Sequence, residues 1–388
     1  MNGRSSNKPR TRLAVIGLGS AGTTLHLPAL AGLADVEVVG AVDTSEERRQ
    51  RAAAQFGVPV FSDLDQMLKA EAPDVVLIAT PPASHAAFCL RAFEAGAHVL
   101  CEKPFVSSLR EADIVLDAAR AAGRRVALNH DFREMPIFRA LRDHVRGDDL
   151  LFAQVWQLMD MPPWAEPGWR GQMLQRTLYE AGVHLIDFLM ALYEECPVSV
   201  SATTTSSGAR DSKSDAIALV TLEFSRGRVA QVVQNRLCKG ETQYFDVRAE
   251  TADASYRASF GGRARITAGL HRSTKPHVRL DFGVSGMAWR EVGNRRTLLA
   301  RNPKDPGMVA TRFVIEKTLA AFRDGTEPPA SGDVARDVLT VIAACYASSA
   351  SGRRIYITPA VREELAEMHM GAEPDEHALS ATHPAALL

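Results

Sequence analysis

The sequence predicts two domains of different class: a doubly wound α/β domain on a parallel sheet, then an α+β domain with a mainly antiparallel sheet. From Leu13 to about Leu128, short β-branched runs alternate with helix-length amphipathic segments, the pattern of βαβ units around a parallel sheet. After Asn129, runs with strand alternation follow one another without helices between them, as in an antiparallel α+β sheet. A chain of 388 residues is also long enough for two cores, since domains usually run ~100–200 residues. The expected division is 10–130, 131–358 and a mobile tail at 359–388.

In the first domain the expected strands are Leu13–Ile16, Val36–Val42, Asp74–Ala79, His98–Cys101 and Val126–Leu128, with a short one near Val60. Between them lie helices that include Glu46–Phe56, Ser84–Glu94 and Leu109–Ala122, several followed by glycine (Gly57, Gly96, Gly123), the usual residue past a helix C-terminus. The second domain opens with a helix at Pro136–His144 and a strand at Leu151–Leu158. A Pro/Trp-rich loop (Pro162–Gly171) and a helix over about Leu178–Tyr193 come next. Strands follow at Val198–Thr205, Ala216–Phe224, Arg228–Arg236 and Tyr244–Glu250. Two further amphipathic helices, Met308–Phe322 and Val334–Ala350, are expected to pack near the domain junction. Beyond Pro359 no apolar face demands burial, and His369, His377 and His383 read as solvated.

Composition narrows the partners. With 46% hydrophobic residues, 23% charged and a formal net charge of −1, no bulk field draws the chain to nucleic acid or to a membrane surface. A small-molecule partner is expected. The five cysteines show no CxxC or Cys/His metal spacing, so they read as reduced thiols with no disulfide and no metal site. The polar, basic start of the chain lacks a signal-peptide apolar core, and no window approaches the ~18 uninterrupted apolar residues of a membrane span. A cytoplasmic location is expected.

The sharpest local signal is Gly17-Leu18-Gly19-Ser20-Ala21-Gly22, which follows the first strand directly and opens a helical stretch. In that setting the first glycine allows a tight turn, the second lets the backbone approach a pyrophosphate, and the third allows close packing. The helix start supplies unpaired N–H groups to the anion. Asp43 ends the second strand about 20 residues further on, where an acid hydrogen-bonds the adenosine ribose. Loop and acid together predict a Rossmann domain that binds NAD in preference to NADP.

Four further stretches complete a pattern: Leu25-His26-Leu27-Pro28-Ala29-Leu30, Ala79-Thr80-Pro81-Pro82-Ala83-Ser84-His85, Cys101-Glu102-Lys103-Pro104, and Glu180-Ala181-Gly182-Val183-His184-Leu185-Ile186-Asp187. With this domain order, the chain from about Leu13 to Ile357 resembles the Gfo/Idh/MocA family (glucose-fructose oxidoreductase, inositol dehydrogenase, rhizopine catabolism). The resemblance implies cofactor contacts at Gly17, Gly19, Ser20, Ala21, Gly22, Asp43, Thr80, Pro81, His85, Glu102, Lys103 and Asn129. It also implies that Lys103 and His184 are catalytic, handling the hydroxyl proton during hydride transfer between nicotinamide and a secondary alcohol or ketone carbon. The implied substrate is a sugar, an inositol or a sugar derivative, and the implied assembly is a homodimer or homotetramer pairing through the open face of the second-domain sheet.

Glu180, His184 and Asp187 stand at i, i+4 and i+7, so a regular helix puts them on one face. Glu180 and Asp187 are therefore expected at the substrate, as are Trp169 and Arg170, since aromatic faces stack on sugar rings and arginine binds carboxylates or phosphates. Trp164 belongs with them or pins the loop. The chain departs from the family pattern at Glu180, where aspartate is usual, and in Asn129-His130-Asp131-Phe132-Arg133, where an aromatic and an arginine often follow the asparagine. Two other functions fit the same fold: a cofactor-binding regulator without chemistry, and an NAD-assisted glycoside hydrolase.

Overall fold

A computed structural model describes residues 10–145, 149–162, 165–166, 168–208, 213–240, 244–260, 265–270, 276–281 and 286–371. The chain divides into two compact units, one formed by residues up to Glu134 with Gly307–Arg336, the other by Met135–Pro306 with the residues from Asp337 on.

The first unit is built on six parallel strands: β1 (Thr11–Ile16), β2 (Val36–Val42), β3 (Val60–Phe61), β4 (Val75–Ile78), β5 (His98–Cys101) and β6 (Val126–Leu128). Their order in the sheet is β3-β2-β1-β4-β5-β6, so the sequence order reverses beside β1, the point at which open α/β sheets bind ligands. Val75–Ile78 is buried throughout, because helices cover both faces of such a sheet. Those helices are α1 (Leu27–Leu30), α2 (Glu46–Phe56), α3 (Leu64–Glu71), α4 (His85–Glu94) and α5 (Leu109–Ala121). Ser45, Asp63 and Ser108 cap α2, α3 and α5 through their side chains, each cap contributing about 1 kcal/mol.

The second unit carries α6 (Pro136–His144) and then β7 (Leu150–Leu158). A π-helical turn at Thr177–Gly182 runs directly into α7 (Val183–Tyr193). The strands β8 (Ser199–Thr205), β9 (Ile217–Glu223), β10 (Val229–Asn235), β11 (Tyr244–Thr251) and β12 (Ser255–Phe260) follow. A separate pair, β13 (Arg265–Leu270) and β14 (Pro276–Asp281), precedes β15 (Met287–Val292) and β16 (Arg295–Arg301). Helices α8 (Pro306–Asp324) and α9 (Gly332–Ser351), strand β17 (Ile355–Tyr356) and α10 (Pro359–Glu364) are the last elements among the described residues. The large sheet has nine strands in the order β16-β15-β12-β11-β7-β10-β9-β8-β17. It is antiparallel except for the β7–β10 pair.

Three sequence expectations need correction. Residues 307–336 belong to the first unit, not the second, because Val314, Ile315, Leu319 and Phe322 join the core that holds Leu13, Val15 and Leu30. Strands β12, β15 and β16 extend the second sheet beyond the last strand expected. The stretch after Pro359 forms α10, and Leu365, Ala366 and Met370 are buried behind it, so it has the apolar face that the sequence reading denied it. His369 is exposed; His377 and His383 lie outside the described residues.

Candidate active site

In the first unit the candidate residues gather at the carboxyl ends of β1, β2, β4, β5 and β6. Gly17 has φ +95°, and a Cβ there would stand 2.6 Å from the Ala79 carbonyl oxygen. A Cβ on Gly22 would lie 2.1 Å from Gly17 O, so this glycine packs against the loop itself. At Gly19 nothing lies within 4 Å of an added Cβ, and Ser20 and Ala21 beside it are at least partly exposed. That open space above a helix start is where a pyrophosphate fits. The residues match the demands of a dinucleotide on this observation.

Asp43 is nearly buried and is oriented by backbone donors: Leu18 N–H to Oδ2 at 2.9 Å and Ser45 N–H to Oδ1 at 2.8 Å. Arg48 approaches Oδ2 at 3.6 Å, whereas Arg49 turns back to donate to the carbonyls of Asp43 and Thr44. Thr80 and the exposed Pro81 wall the glycine loop, the Thr80 Cγ2 standing 2.9 Å from a Cβ added to Gly17.

His85 was expected to meet the cofactor directly, and its burial corrects this. Its ring is wholly buried, with Nδ1 at 3.0 and 2.9 Å from the carbonyls of Pro104 and Phe105 and Nε2 at 2.8 Å from Thr80 O. Burial lowers its pKa against these carbonyls and the charge of Glu102. The ring ties the loop after β4 to the loop after β5, and so positions Thr80 and the Lys103-Pro104 segment.

Glu102 is the hub. His26 Nε2 donates to its Oε1 at 2.6 Å, Asn129 Nδ2 donates to the same oxygen at 2.8 Å, and the Lys103 N–H donates to Oε2 at 3.1 Å. Burial alone would raise the Glu102 pKa. The hydrogen bond and charge of His26, the charge of Lys103 and the Asn129 bond outweigh it and hold the carboxyl at about 2. Asn129 Oδ1 is buried without a hydrogen-bond partner among the described residues, an acceptor that a ligand donor would satisfy. Lys103 is half-buried. Asp131, in the short turn after β6, is pushed up to about 7 by burial and by the charge of Glu102, against the pull of Lys103.

In the second unit the expected regular helix at Leu178–Tyr193 begins instead with the π-helical turn at Thr177–Gly182. In such a turn the partner comes five residues on rather than four, so the step from Glu180 to His184 crosses from a π-helical into an α-helical segment. His184 and Asp187 lie on α7, nearly and fully buried respectively. Asp187, expected at the substrate, is at 0% exposure closed to direct contact with one in this structure. The space beside Gly182 is taken by Gln234, 2.6 Å from an added Cβ. The Gln234 amide satisfies the loose turn, accepting from Gly182 N at 3.1 Å and donating to Thr177 O at 3.2 Å.

The start of the turn is held by a residue that the sequence reading missed. Asp215 Oδ1 accepts from the N–H groups of Arg176 and Thr177 at 2.7 and 2.8 Å, and Oδ2 accepts from Tyr346 at 3.1 Å. Glu180 meets Arg170 Nε at 3.2 Å through Oε1 and Arg236 Nη1 at 3.5 Å through Oε2. Glu166 in turn pairs with Arg236 at 2.9 Å and with Arg176. Trp169 and Arg170 thus do join Glu180, while Trp164 lies outside the described residues. Among the described residues no group of three His, Cys, Asp or Glu could hold a metal, and no helix is long and apolar enough to cross a membrane. All five cysteines are free.

D-glucoside 3-dehydrogenase of Escherichia coli is 31% identical over 46% of this chain, and the chain spans only 53% of that relative. D-apiose dehydrogenase of Paraburkholderia graminis is 26% identical over 89% of each chain. The fold matches an Agrobacterium radiobacter oxidoreductase solved with NAD+, L-tartaric acid and magnesium, at TM-score 0.74 and 16% identity, covering 90% of this chain and 98% of that one. Residues 11–130 match the oxidoreductase family with an NAD-binding Rossmann fold, and residues 141–255 match the Gfo/Idh/MocA C-terminal domain. The chain belongs to the Gfo/Idh/MocA oxidoreductase family.

Proposed function

We propose that this protein is an NAD-dependent dehydrogenase acting on a secondary alcohol of a sugar, an inositol or a sugar derivative. The observation that carries the reading is the Glu102 hub: an ionised, buried carboxylate, fixed by His26 and Asn129, directly before Lys103. The glycine loop and Asp43 would hold the cofactor, with Thr80, Pro81, Glu102 and Asn129 completing its contacts. NAD supplies the hydride acceptor when bound. Lys103 and His184 are proposed to handle the hydroxyl proton, with a positioned acid/base group contributing about 10²–10⁴ in rate. Trp169 and Arg170 are proposed to contact the substrate.

The names of the relatives support a sugar or polyol, since one oxidises a glucoside and another apiose. We further propose a cytoplasmic homodimer or homotetramer. Leu151, Trp156 and Leu219 are exposed on β7 and β9, an apolar sheet face suited to pairing. The test is a screen for NAD reduction over inositols, aldoses, deoxysugars and nucleotide sugars. Net NADH formation with at least one class is expected, and NAD binding with no turnover on any would overturn the dehydrogenase reading.

A further inference from the structure

The residues around Glu180 form a ladder of alternating charge. Arg176 is fully buried and pairs with Glu166; Glu166 pairs with Arg236; Arg236 pairs with Glu180; Glu180 pairs with Arg170. All four carboxylate oxygens are thereby claimed, two on Glu166 and two on Glu180. Glu180 consequently has both oxygens turned to guanidinium groups.

The ladder shares two carboxylates, Glu166 and Glu180, among three guanidinium groups, Arg170, Arg176 and Arg236. Asp215 stands behind the ladder, accepting from the backbone of Arg176 and Thr177 and from Tyr346. At the inner end, Arg176 Nε and Nη1 are buried with no hydrogen-bond partner among the described residues. The outer end is Arg170, whose side chain is 45% exposed. Its Nε is anchored on Glu180, its face lies 4.4 Å from the Trp169 ring centroid, and its two terminal nitrogens make no hydrogen bond among the described residues. A guanidinium fixed by one edge and one face, with its fork left open, is pre-organised for a planar or tetrahedral oxyanion.

We infer that Arg170 reads an anionic group on the substrate, so that the preferred substrate is a sugar or polyol carrying a carboxylate or a phosphate. The inference rests on the dehydrogenase reading and narrows its substrate class. Glu180, Arg236 and Glu166 act behind Arg170 as positioning residues, while the Trp169 face limits the motion of the guanidinium.

Calorimetric titration of the full chain, with and without NADH, tests this using matched ligands: D-glucose, D-glucuronate and D-glucose 6-phosphate, and myo-inositol with its 1-phosphate. At least one anionic member should bind about tenfold or more tightly than its neutral partner, a free-energy difference detectable on this scale. Glucuronate alone would identify the carboxylate, and the phosphates alone the phosphate. Arg170→Gln should erase the advantage and Arg170→Lys should keep part of it, both retaining the wild-type melting profile. Equal binding of neutral and anionic members, no binding of any anion, or an advantage that survives in Arg170→Gln overturns the inference. NAD reduction measured on the same ligands separates the two claims. Turnover of neutral sugars without an anion advantage sinks this inference alone, and anion-selective binding without turnover sinks the dehydrogenase reading alone.

Discussion

His26 donates through Nε2 to Glu102 Oε1 at 2.6 Å, linking the helical turn after the glycine loop to the end of β5 across 76 residues of sequence. The Glu102 carboxyl is held at about 2 against an ordinary 4.5. A depressed acid adds stability that is complete above the unfolded value and is lost as pH falls from about 4.5 toward about 2. Glu102→Gln should flatten the acid limb of the stability profile in that window. His26→Ala should cost about 1–3 kcal/mol near neutral pH by removing a donor from a buried carboxylate. Thermal unfolding across the acid range checks both; an unchanged acid limb in Glu102→Gln would show that the pair is not coupled to folding.

Cofactor choice should follow Asp43. Its carboxylate, fixed by Leu18 and Ser45, accepts ribose hydroxyls and repels a 2′-phosphate, so kcat/KM is expected to be higher with NAD. Arg48, 3.6 Å from the same carboxylate, is the cation placed to oppose this, while Arg49 donates to the backbone carbonyls of Asp43 and Thr44. Asp43→Ala should narrow the preference, and Asp43→Ala with Arg48→Ala should lose affinity for both cofactors. Equal efficiency of the wild type with NADP would refute the assignment.

Much of this architecture was legible because the parallel strands are apolar runs buried on both faces. Val36–Val42, His98–Cys101 and Val126–Leu128 match the expected bounds. Strands β12 and β16 were not, since Ser255–Phe260 and Arg295–Arg301 mix arginine, serine and threonine into the pattern, as strands with one open face do. The strand-end residues Glu102, Lys103 and Asn129 could be placed from register alone, because Cys101 pairs with Leu128. The π-helical turn, the burial of His85 and the capping by Asp215 depend on partners tens of residues away, such as Tyr346 and Gln234. Nothing in the local periodicity marks them.

Lys103→Met and His184→Ala should each lower turnover by roughly 10²–10⁴ while leaving NADH affinity within a few-fold. Steady-state rates with fluorescence titration of NADH check this. A variant that keeps most of its turnover removes that residue from the chemistry.

Asp131 should make stability depend on pH in the opposite sense to Glu102. Its carboxyl is raised from 3.8 to about 7 by burial and by the charge of Glu102, with Lys103 pulling the other way. A raised acid favours the fold while protonated, so stability complete below the unfolded value is lost as pH climbs through about 7. The slope is at most about 1.4 kcal/mol per pH unit. Asp131→Asn should remove that loss and gain on the wild type between about pH 4 and about pH 7. Parallel melting curves for the two proteins across that range would place Asp131 outside the titrating set.

Glu180 stands four residues before His184, where a carboxylate could tune the histidine by its charge, but its two oxygens are paired with Arg170 and Arg236. A carboxylate paired with two guanidinium groups has little charge left to favour a protonated histidine. Glu180→Gln should therefore move the acid/base limb of the pH–rate profile by less than about one unit and act mainly through Arg170. Stability should fall by about 1–3 kcal/mol, because Arg236, 1% exposed, keeps Glu166 at 2.9 Å and Met161 O at 3.1 Å. Glu166→Gln should cost more, about 3–5 kcal/mol, since it takes the ionic partner from both Arg176 and Arg236. Denaturant unfolding of the two variants, set beside their pH–rate profiles, decides between a charge that tunes the histidine and a strut that aims an arginine. A full-unit shift in Glu180→Gln with unchanged stability would restore the tuning role.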